Sequence, residues 1–565
     1  MGEGLGWLLL SAVAVTVTTW PMAARFQTHL LEPLHLPDVQ GGMFWPWAFA
    51  HALWSGEPLY LRPELQWPVG QDLRLIIWNH GVQLLLFPLF LLFSPVAATN
   101  LSALWLNTLN GAAGAWAGGA ASRSRWGALA GLAVAACAPY GVVEAGVGRP
   151  EQGLWAPLAL FFGGLVRLWD DPGDRRAALV CGVGVGLAGA IYWFYAIFLV
   201  TLVAVVFPVA AAAGALTRAR LAALVLAGGV SVVVALPFAA PLLAELSAAP
   251  AVIDAAVAAS APVEEMQQRA SVLFPWGHLG PWAVGEERAW RAPLLALPLC
   301  LLSALFGRGG VRIAGVMGTL AALLAAGPVL LGPEGAVSVA GYRLAMPQAL
   351  LNVLPGYGRF WWPYRWQGVM LGAAVVAVPA AVARLPRPAV WAVAVGLWSA
   401  GEGAWMLRDG GVRPVVGPAV VPELFVSIGQ LEGGPRPILQ LPSAWLRNSR
   451  VGWIAWHHQP IDGGMGWGLL TAQADARRAA LSEVPLVAAL EAAEAGRVLR
   501  RASWSAEEAG GFHYVVLYAT EGPGADRGRR QRVVSGVLGE PFYDDGAVVA
   551  WVVPGVGSLP PPQVR

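Results

Sequence analysis

Long apolar segments separated by short polar loops make up the first 409 residues of the chain. A bilayer's hydrocarbon core takes about 20 helical residues to cross, and most of the segments approach that length. The pattern predicts a mainly α-helical, polytopic membrane protein. The segments lie near 5–24, 82–98, 101–120, 127–143, 153–169, 177–191, 195–214, 221–243, 291–307, 311–331, 366–383 and 388–407. The first has no basic stretch before it, so we expect it to be retained as a transmembrane helix.

Beyond about residue 410 the pattern changes to that of a water-soluble domain. A stretch with helical composition, Ala472 to Arg501, lies between short β-type runs. The runs read PILQLP, VGWIAWH, HYVVLYA and AVVAWVV. This alternation predicts a small α/β domain with a mostly buried sheet. We therefore divide the chain into a transmembrane domain at 1–409, whose first loop is 25–81, and a C-terminal α/β domain at 410–565.

Composition agrees with membrane insertion and excludes several other classes. Hydrophobic residues make up 57% of the chain and charged residues only 12%, a balance that a soluble domain of this size does not need. The net charge of +2, without a basic run, gives no indication of a nucleic-acid partner. The three cysteines, Cys137, Cys181 and Cys300, lie apart in apolar segments. Their number and placement argue against a disulfide framework and against a zinc site.

Arginine pairs in five short loops set the expected orientation. Arginines mark cytoplasmic loops, so loops 144–152, 192–194, 244–290 and 332–365 and the C-terminal domain are expected outside and the N-terminus inside. This alternation of inside and outside loops requires that one of the early apolar segments does not cross the membrane. We expect residues 82–98, which Pro88 and Pro95 interrupt, to form a re-entrant or interfacial hairpin. The alternative is that 101–120 does not span. With one of the twelve apolar segments not spanning, we expect eleven transmembrane helices. The pairs are Arg123 and Arg125, Arg175 and Arg176, Arg218 and Arg220, Arg308 and Arg312, and Arg384 and Arg387.

The first loop is too polar and proline-rich to span a bilayer, and it is rich in tryptophan. Within it, Phe44 to Trp54 has the apolar spacing of a short amphipathic helix that ends before Gly56. Asp38 stands just before that helix. A carboxylate at this place is either an N-cap or a reactive group.

These residues resemble the first external loop of GT-C glycosyltransferases, in which an acidic residue after the first helix precedes a WxxA segment and a W-P-x-G turn (here Trp67 to Gly70). The chain is most similar to bacterial, mannosyltransferase-like members with a periplasmic C-terminal domain. The resemblance implies a multi-pass protein of the bacterial inner membrane. It also implies a polyprenyl-phosphate-linked sugar donor and a glycan, lipid or protein acceptor. Part of the superfamily uses a divalent cation, Mg²⁺ or Mn²⁺.

Two external loops carry further candidates. Gly148-Arg149-Pro150-Glu151 is similar to the family's acidic motif, with Glu151 in place of aspartate; the alternative is an interfacial ion pair. Near the end of loop 332–365, Arg359 and Arg365 are separated by aromatic residues. They either anchor the chain in the aromatic belt at the membrane–water interface or, as the resemblance implies, bind a lipid phosphate. Arg149 is a further candidate for the phosphate role. Asp38 is the candidate general base, and Glu151 the residue that holds a cation or positions the acceptor.

The remaining candidates are histidines, and two other functions stay open. His457 and His458 precede a glycine-rich stretch and are candidates for sugar or metal binding, or for packing alone; His278 has no partner at metal-ligand spacing. A transporter would show internal repeats and charges within its spans, which are nearly free of them here. A non-catalytic assembly subunit derived from the same fold is the other alternative.

Overall fold

A computed structural model describes most of the chain. The described residues are 2–30, 37–74, 80–248, 293–332, 335–354, 357, 363–409, 417–419, 421–432, 434–441, 454–462, 479–497, 503–518 and 527–556. They divide into two compact units. The first unit draws on 1–32, 78–244 and 257–418, and the second on 33–77, 245–256 and 419–565.

Helices dominate the described residues. In chain order they are α1 Gly2–Thr18, α2 Trp20–Ala24, α3 Pro37–Ser55, α4 His80–Leu92, α5 Pro95–Ser122, α6 Arg125–Ala136, α7 Pro139–Gly146, α8 Pro150–Gly153, α9 Ala156–Asp170, α10 Arg175–Ile191, α11 Trp193–Ala212, α12 Arg218–Ala248, α13 Ala296–Phe306, α14 Gly309–Ala325, α15 Pro347–Asn352, α16 Trp366–Val382, α17 Pro388–Asp409, α18 Glu423–Gly429, α19 Ile454–His457, α20 Pro485–Glu494 and α21 Arg527–Leu538. A 3₁₀ turn, Pro363–Arg365, leads directly into α16.

The strands are short. They are β1 His29–Leu30, β2 Leu61–Arg62, β3 Gln71–Asp72, β4 Leu331–Gly332, β5 Gly335–Ala336, β6 Ser338–Val339, β7 Tyr342–Arg343, β8 Gly417–Pro418, β9 Ile438–Leu441, β10 Tyr514–Tyr518, β11 Tyr543–Asp544 and β12 Val548–Val552. Most form two-stranded pairs, and β9 to β12 form one four-stranded sheet.

The first unit is a helical bundle held by close backbone approach. A Cβ atom built on Gly131 of α6 would lie 2.3 Å from the Gly114 carbonyl oxygen of α5, and one on Gly118 would lie 2.5 Å from the Gly127 carbonyl oxygen. Small residues at such contacts let membrane helices pack by van der Waals contact, which is the main attraction between helices in lipid. The alanine- and glycine-rich sequence of α5 therefore serves packing against α6.

Four helical segments among the described residues are long and apolar enough to cross a membrane. They are Arg125–Gly146, Trp193–Ala212, Arg218–Pro241 and Pro363–Val382. Helix α4 has only 13 residues, so it covers about 20 Å at a rise of about 1.5 Å per residue. That length is less than the thickness of a hydrocarbon core, about 30 Å. The re-entrant placement of residues 82–98 stays a prediction. The eleven-helix topology itself stays a prediction.

The second unit contains a mixed sheet with strand order β11-β12-β10-β9. Strands β9 and β10 are parallel, and the other pairs are antiparallel. Strand β10 is buried along its whole length. Three of the four predicted β-runs contain β9, β10 and β12. Helix α20 lies within the predicted helical stretch. The fourth run, VGWIAWH, was wrongly assigned as a strand, because Ile454–His457 forms a helical turn closed by the His458 N–H on the Ile454 carbonyl, 2.8 Å.

Part of the first loop belongs to the second unit, which differs from the predicted domain boundaries. The backbone explains this grouping. The Trp67 N–H donates to the Ile461 carbonyl (2.9 Å), and the Ile461 N–H donates to the Glu64 carbonyl (2.8 Å). The Trp67 indole N–H also donates to the Gly510 carbonyl, 3.0 Å. Backbone hydrogen bonds between segments this distant in sequence produce no pattern of hydrophobic residues. The domain boundary that they set therefore cannot be predicted from the sequence.

Candidate active site

Helix α7 places two buried polar side chains in the first unit. Tyr140 and Glu144 are four residues apart, so they lie on the same face of the helix, and both are fully buried. A charged group without exposure needs a partner or must lose its charge. The turn after α7 supplies that partner.

Arg149 forms an ion pair with Glu144. The Arg149 Nε lies 3.0 Å from the Glu144 Oε2, and the Arg149 backbone N–H donates to the Glu144 carbonyl at 2.8 Å. Gly148 has a φ of +92°, a left-handed conformation that glycine adopts readily and that turns the chain back here. The guanidinium also donates from Nη1 to the Tyr364 hydroxyl at 3.3 Å. The arginine is thus held from α7 and from the 3₁₀ turn.

A chain of hydroxyl groups continues from this pair. The Tyr140 and Tyr195 hydroxyls are 3.0 Å apart, and the Tyr195 hydroxyl donates to the Gln152 carbonyl at 2.7 Å. Helix α16 approaches closely, since a Cβ on Gly368 would lie 2.7 Å from the Tyr195 hydroxyl. These contacts connect α7, α8, α11 and α16 around one buried polar cluster.

Arg365 lies at the end of the 3₁₀ turn and packs on aromatic faces. Its guanidinium carbon is 5.1 Å from the centre of the Phe194 ring and 5.7 Å from that of Tyr192. Cation–π contacts of this kind hold a planar guanidinium while leaving its N–H groups at the edges for other acceptors. Arg365 interacts electrostatically with Glu144, Arg149 and Tyr364, so it belongs to the same cluster.

Glu151 brings a second carboxyl group to the cluster. Burial raises the pKa of Glu151 to about 7, because a charged carboxylate loses its hydration there. The neighbouring Arg365 and Arg149 charges oppose the shift, and Glu144 adds to it. A carboxyl group with this pKa exchanges its proton near neutral pH.

Asn110 of α5 fixes the segment that carries Glu151. Its side-chain oxygen accepts hydrogen bonds from the backbone N–H groups of Trp155 (3.0 Å) and Ala156 (2.8 Å). Its amide nitrogen donates to the Gly153 carbonyl at 2.8 Å. One buried amide thus satisfies the polar groups between α8 and α9, where a free N–H or C=O would cost stability.

A metal ion has no evident ligand set in the described part of the chain. No group of three histidine, cysteine, aspartate or glutamate side chains among those residues is arranged to hold one. The carboxylates near the cluster are Glu144, which is paired with Arg149, and Glu151. We therefore derive no step through Mg²⁺ or Mn²⁺.

The structure brings together three of the predicted site residues. Arg149, Glu151 and Arg365 share the cluster of the first unit. Asp38 lies in the second unit. Arg359 and His278 lie outside the described residues.

Asp38 lies inside a helix rather than before one. Helix α3 starts at Pro37, and Asp38 is in its first turn, so the N-cap interpretation is wrong. The helix begins earlier than predicted because Val39, Met43 and Phe44 are fully buried, which offsets the low helix propensity of the glycines between them. A carboxylate in the first turn is favoured by the positive end of the helix dipole.

The two histidines of the second unit differ in exposure. His457 is fully buried, its Nδ1 accepts the Gln459 N–H at 3.0 Å, and burial lowers its pKa to about 3. His458 is exposed, and its ring lies 5.7 Å from that of Trp47, which stacks on His51 at 5.3 Å. The buried position of His457 agrees with the packing alternative.

Sequence reasoning missed Glu144 and the tyrosines of the cluster. The chain has ten tyrosines, and four of them, Tyr140, Tyr192, Tyr195 and Tyr364, lie here. Each stands within or beside an apolar segment, next to a loop that the sequence predicts to be external. This grouping of tyrosines could have indicated a buried polar site, because a hydroxyl group in an apolar segment requires a polar partner.

Comparison with known proteins shows the fold. No protein family model and no curated protein matches the sequence. ArnT from Cupriavidus metallidurans matches with a TM-score of 0.53 at 14% identity, over 97% of this chain and 98% of that one. The oligosaccharyltransferase of Archaeoglobus fulgidus matches with a TM-score of 0.50 at 11% identity, over 95% of this chain and 71% of that one. Both are GT-C glycosyltransferases, and this chain therefore has a GT-C-type fold.

Proposed function

We propose that the chain is a membrane glycosyltransferase that moves a sugar from a polyprenyl-phosphate donor to an acceptor hydroxyl. In this reaction the acceptor oxygen bonds to the anomeric carbon with inversion, and the bond from that carbon to the phosphate oxygen breaks. The acceptor proton passes to a carboxylate. The observation that carries the proposal is the position of two guanidiniums, those of Arg149 and Arg365, beside the Glu151 carboxyl group.

The guanidiniums suit the leaving group. Breaking the glycosyl bond develops negative charge on the lipid phosphate, and fixed cations stabilise that charge best when they need no reorganisation. Arg149 is held by Glu144 and Tyr364, and Arg365 by two aromatic faces. Planar guanidiniums can each donate two parallel hydrogen bonds to a phosphate. Arg359, from the same loop as Arg365, remains a candidate for the same role.

The carboxyl groups suit the proton transfer. A general base works best when its pKa lies near the working pH, and Glu151 meets that condition. Asp38 is the candidate for the base that contacts the acceptor hydroxyl, and Glu151 then positions the acceptor or shares its proton. We further propose that the donor and acceptor meet at the periplasmic face of a bacterial inner membrane, with the C-terminal domain also periplasmic. The GT-C-type fold supports this reaction class.

Arginine-to-lysine exchange tests the phosphate site. Lysine keeps the charge but is a point donor, so Arg365→Lys should weaken binding of a short-chain polyprenyl phosphate by about tenfold to a hundredfold, from a loss of about 1.5–3 kcal/mol. Binding would be measured on the purified protein in detergent. Arg220→Lys is the matched control, because the Arg220 guanidinium also packs on a ring, that of Trp169 at 5.1 Å.

Arg149→Lys is measured as well, and the three variants have separate outcomes. Weaker binding in Arg365→Lys, with Arg220→Lys unchanged, supports the site. Equal affinity in the parent and in both Arg365→Lys and Arg149→Lys would show that neither guanidinium contacts the phosphate, and the proposed function would lose its main support. Thermal unfolding of each variant checks that the fold is intact.

A further inference from the structure

Three buried polar atoms near the cluster have unused hydrogen-bonding capacity. The Gln152 Oε1, the Trp155 Nε1 and the Tyr192 hydroxyl have no hydrogen-bond partner among the described residues. All three side chains are at least nine-tenths buried. Leaving a buried donor or acceptor without a partner is costly, so each of these atoms needs a hydrogen-bonding group that the described protein residues do not supply and that a ligand can provide.

Their positions adjoin the charged groups of the site. Gln152 and Trp155 follow Glu151 within four residues and flank the segment that Asn110 fixes. The Tyr192 ring lies under the Arg365 guanidinium, and its hydroxyl interacts electrostatically with Glu151. A ligand whose phosphate contacts Arg365 would therefore place its adjoining group near these atoms.

The chemistry of the three atoms selects the ligand group. The indole N–H only donates, an amide oxygen only accepts, and a phenolic hydroxyl does both. A phosphate diester offers acceptors alone and cannot satisfy the Gln152 oxygen. A hydroxyl donates and accepts, so a group with several hydroxyls satisfies the whole set.

We propose that Gln152, Trp155 and Tyr192 form a hydroxyl subsite that binds the sugar of the lipid-linked donor. The proposal rests on the proposed function, since it needs the lipid phosphate to lie at Arg149 and Arg365. It adds that this site recognises the glycosyl phosphodiester rather than the bare lipid phosphate. The subsite thereby distinguishes a loaded donor from the spent carrier after transfer.

Two variants that each remove one polar group and keep an aromatic ring test the subsite. Tyr192→Phe removes the hydroxyl and keeps the ring under Arg365, and Trp155→Phe removes the N–H and keeps an aromatic side chain. The probes are a short-chain polyprenyl phosphate and the same lipid phosphate esterified to glucose, mannose or arabinose. Each variant should lose about threefold to tenfold affinity for at least one glycosyl phosphodiester, and less than twofold for the bare phosphate, since one neutral hydrogen bond is lost.

Control variants make the same changes elsewhere in the first unit. Tyr342→Phe alters a side chain that is 81% exposed, and Trp391→Phe one that is 45% exposed. Neither should change the affinity for any of the four probes. Thermal unfolding of all four variants separates a packing defect from a lost contact, because a packing defect weakens the bare phosphate and the glycosyl phosphodiesters alike.

Two results would overturn the subsite. One is an equal loss for bare and glycosylated probes in both variants, and the other is no loss for any sugar, as expected if internal water satisfies these atoms. Either result leaves the phosphate site standing if Arg365→Lys still weakens the bare lipid phosphate. Failure of the Arg365 test itself would instead remove the proposed function on which the subsite depends.

Discussion

The charged cluster of the first unit and the His457 region of the second bury titratable groups in opposite ways. In the first, Glu144 and Arg149 form an ion pair at 3.0 Å, and tyrosine hydroxyl groups lie beside them. In the second, His457 packs against the Phe425 ring, with ring centres 5.4 Å apart, and burial lowers its pKa to about 3. Pairing keeps a charge available inside protein, whereas burial without a counter-charge removes it.

The difference indicates which region is built for chemistry on an anionic substrate. A buried ion pair is weak support for stability, because desolvation offsets much of the attraction. Apolar side chains at such positions are often as stable, so the presence of two arginines and two glutamates is better explained by binding. The neutral imidazole of the second unit fits a structural role. Asp38 also belongs to the second unit but is a candidate for catalysis, and the next experiment tests that role.

Asp38→Asn carries the largest expected effect. If Asp38 accepts the acceptor proton, the variant should bind the polyprenyl-phosphate ligand normally and lose about a hundredfold to ten-thousandfold in transfer rate, since general-base catalysis contributes that much. Asp171→Asn, in a loop of the first unit, is the control with the same chemical change. Transfer by Asp38→Asn at the parental rate would exclude Asp38 as the base and leave Glu151 as the candidate.

Glu144→Gln breaks the paired region and should be the most destabilising of the single changes. It leaves the buried Arg149 without its counter-charge, which costs about 3–5 kcal/mol. The free energy of unfolding in a denaturing-detergent titration measures this. Glu57→Gln is the comparison from the second unit, because Glu57 is 44% exposed and the buried Arg62, 3.8 Å away, keeps a closer carboxylate partner in Glu64. We expect a loss of about 0–1 kcal/mol there, as for a weak pair at the surface. Similar losses in the two variants would contradict the paired-charge description.

Much of the fold followed from periodicity, and the exceptions have physical causes. Apolar runs predicted the helical membrane unit, and the alternating runs around Leu439, Val516 and Ala550 predicted three strands of the sheet. The Ile454–His457 turn has the composition of a strand, and only its tertiary contacts decide for a helix. The grouping of Trp67 with Ile461 depends on backbone hydrogen bonds that no side-chain pattern records.

The candidate site was predictable in its charges but not in its supporting groups. Arg149, Glu151 and Arg365 stand out as charges at the ends of apolar segments, and the structure brings them together. Glu144 lies in the same loop, but no residue pattern there distinguishes it from Glu151 as the partner of Arg149. Asn110 lies within a long apolar helix, and its role depends on four contacts formed only after folding.

The smallest effect concerns the neutral region and depends on pH. Burial depresses the folded-state pKa of His457 to about 3, against about 6.5 when unfolded. The unfolded chain therefore binds the proton first, so the contribution is fully present above about pH 6.5 and is lost progressively as the pH falls toward 3. At pH 5 the second unit should be less stable than at pH 7.5 by about 2 kcal/mol.

Amide hydrogen exchange of strand β10, corrected for intrinsic rates, reports this loss locally in the full chain. His457→Gln removes the titrating group and should flatten most of the pH dependence. The smaller contribution of His458 remains, because partial desolvation of its ring also lowers its pKa although part of the side chain is exposed. His51→Gln, at a side chain that is 44% exposed, is the matched control and should retain the parental profile. An unchanged profile in His457→Gln would show that His457 does not titrate with unfolding, and the contrast between paired and neutral burial would then rest on the first unit alone.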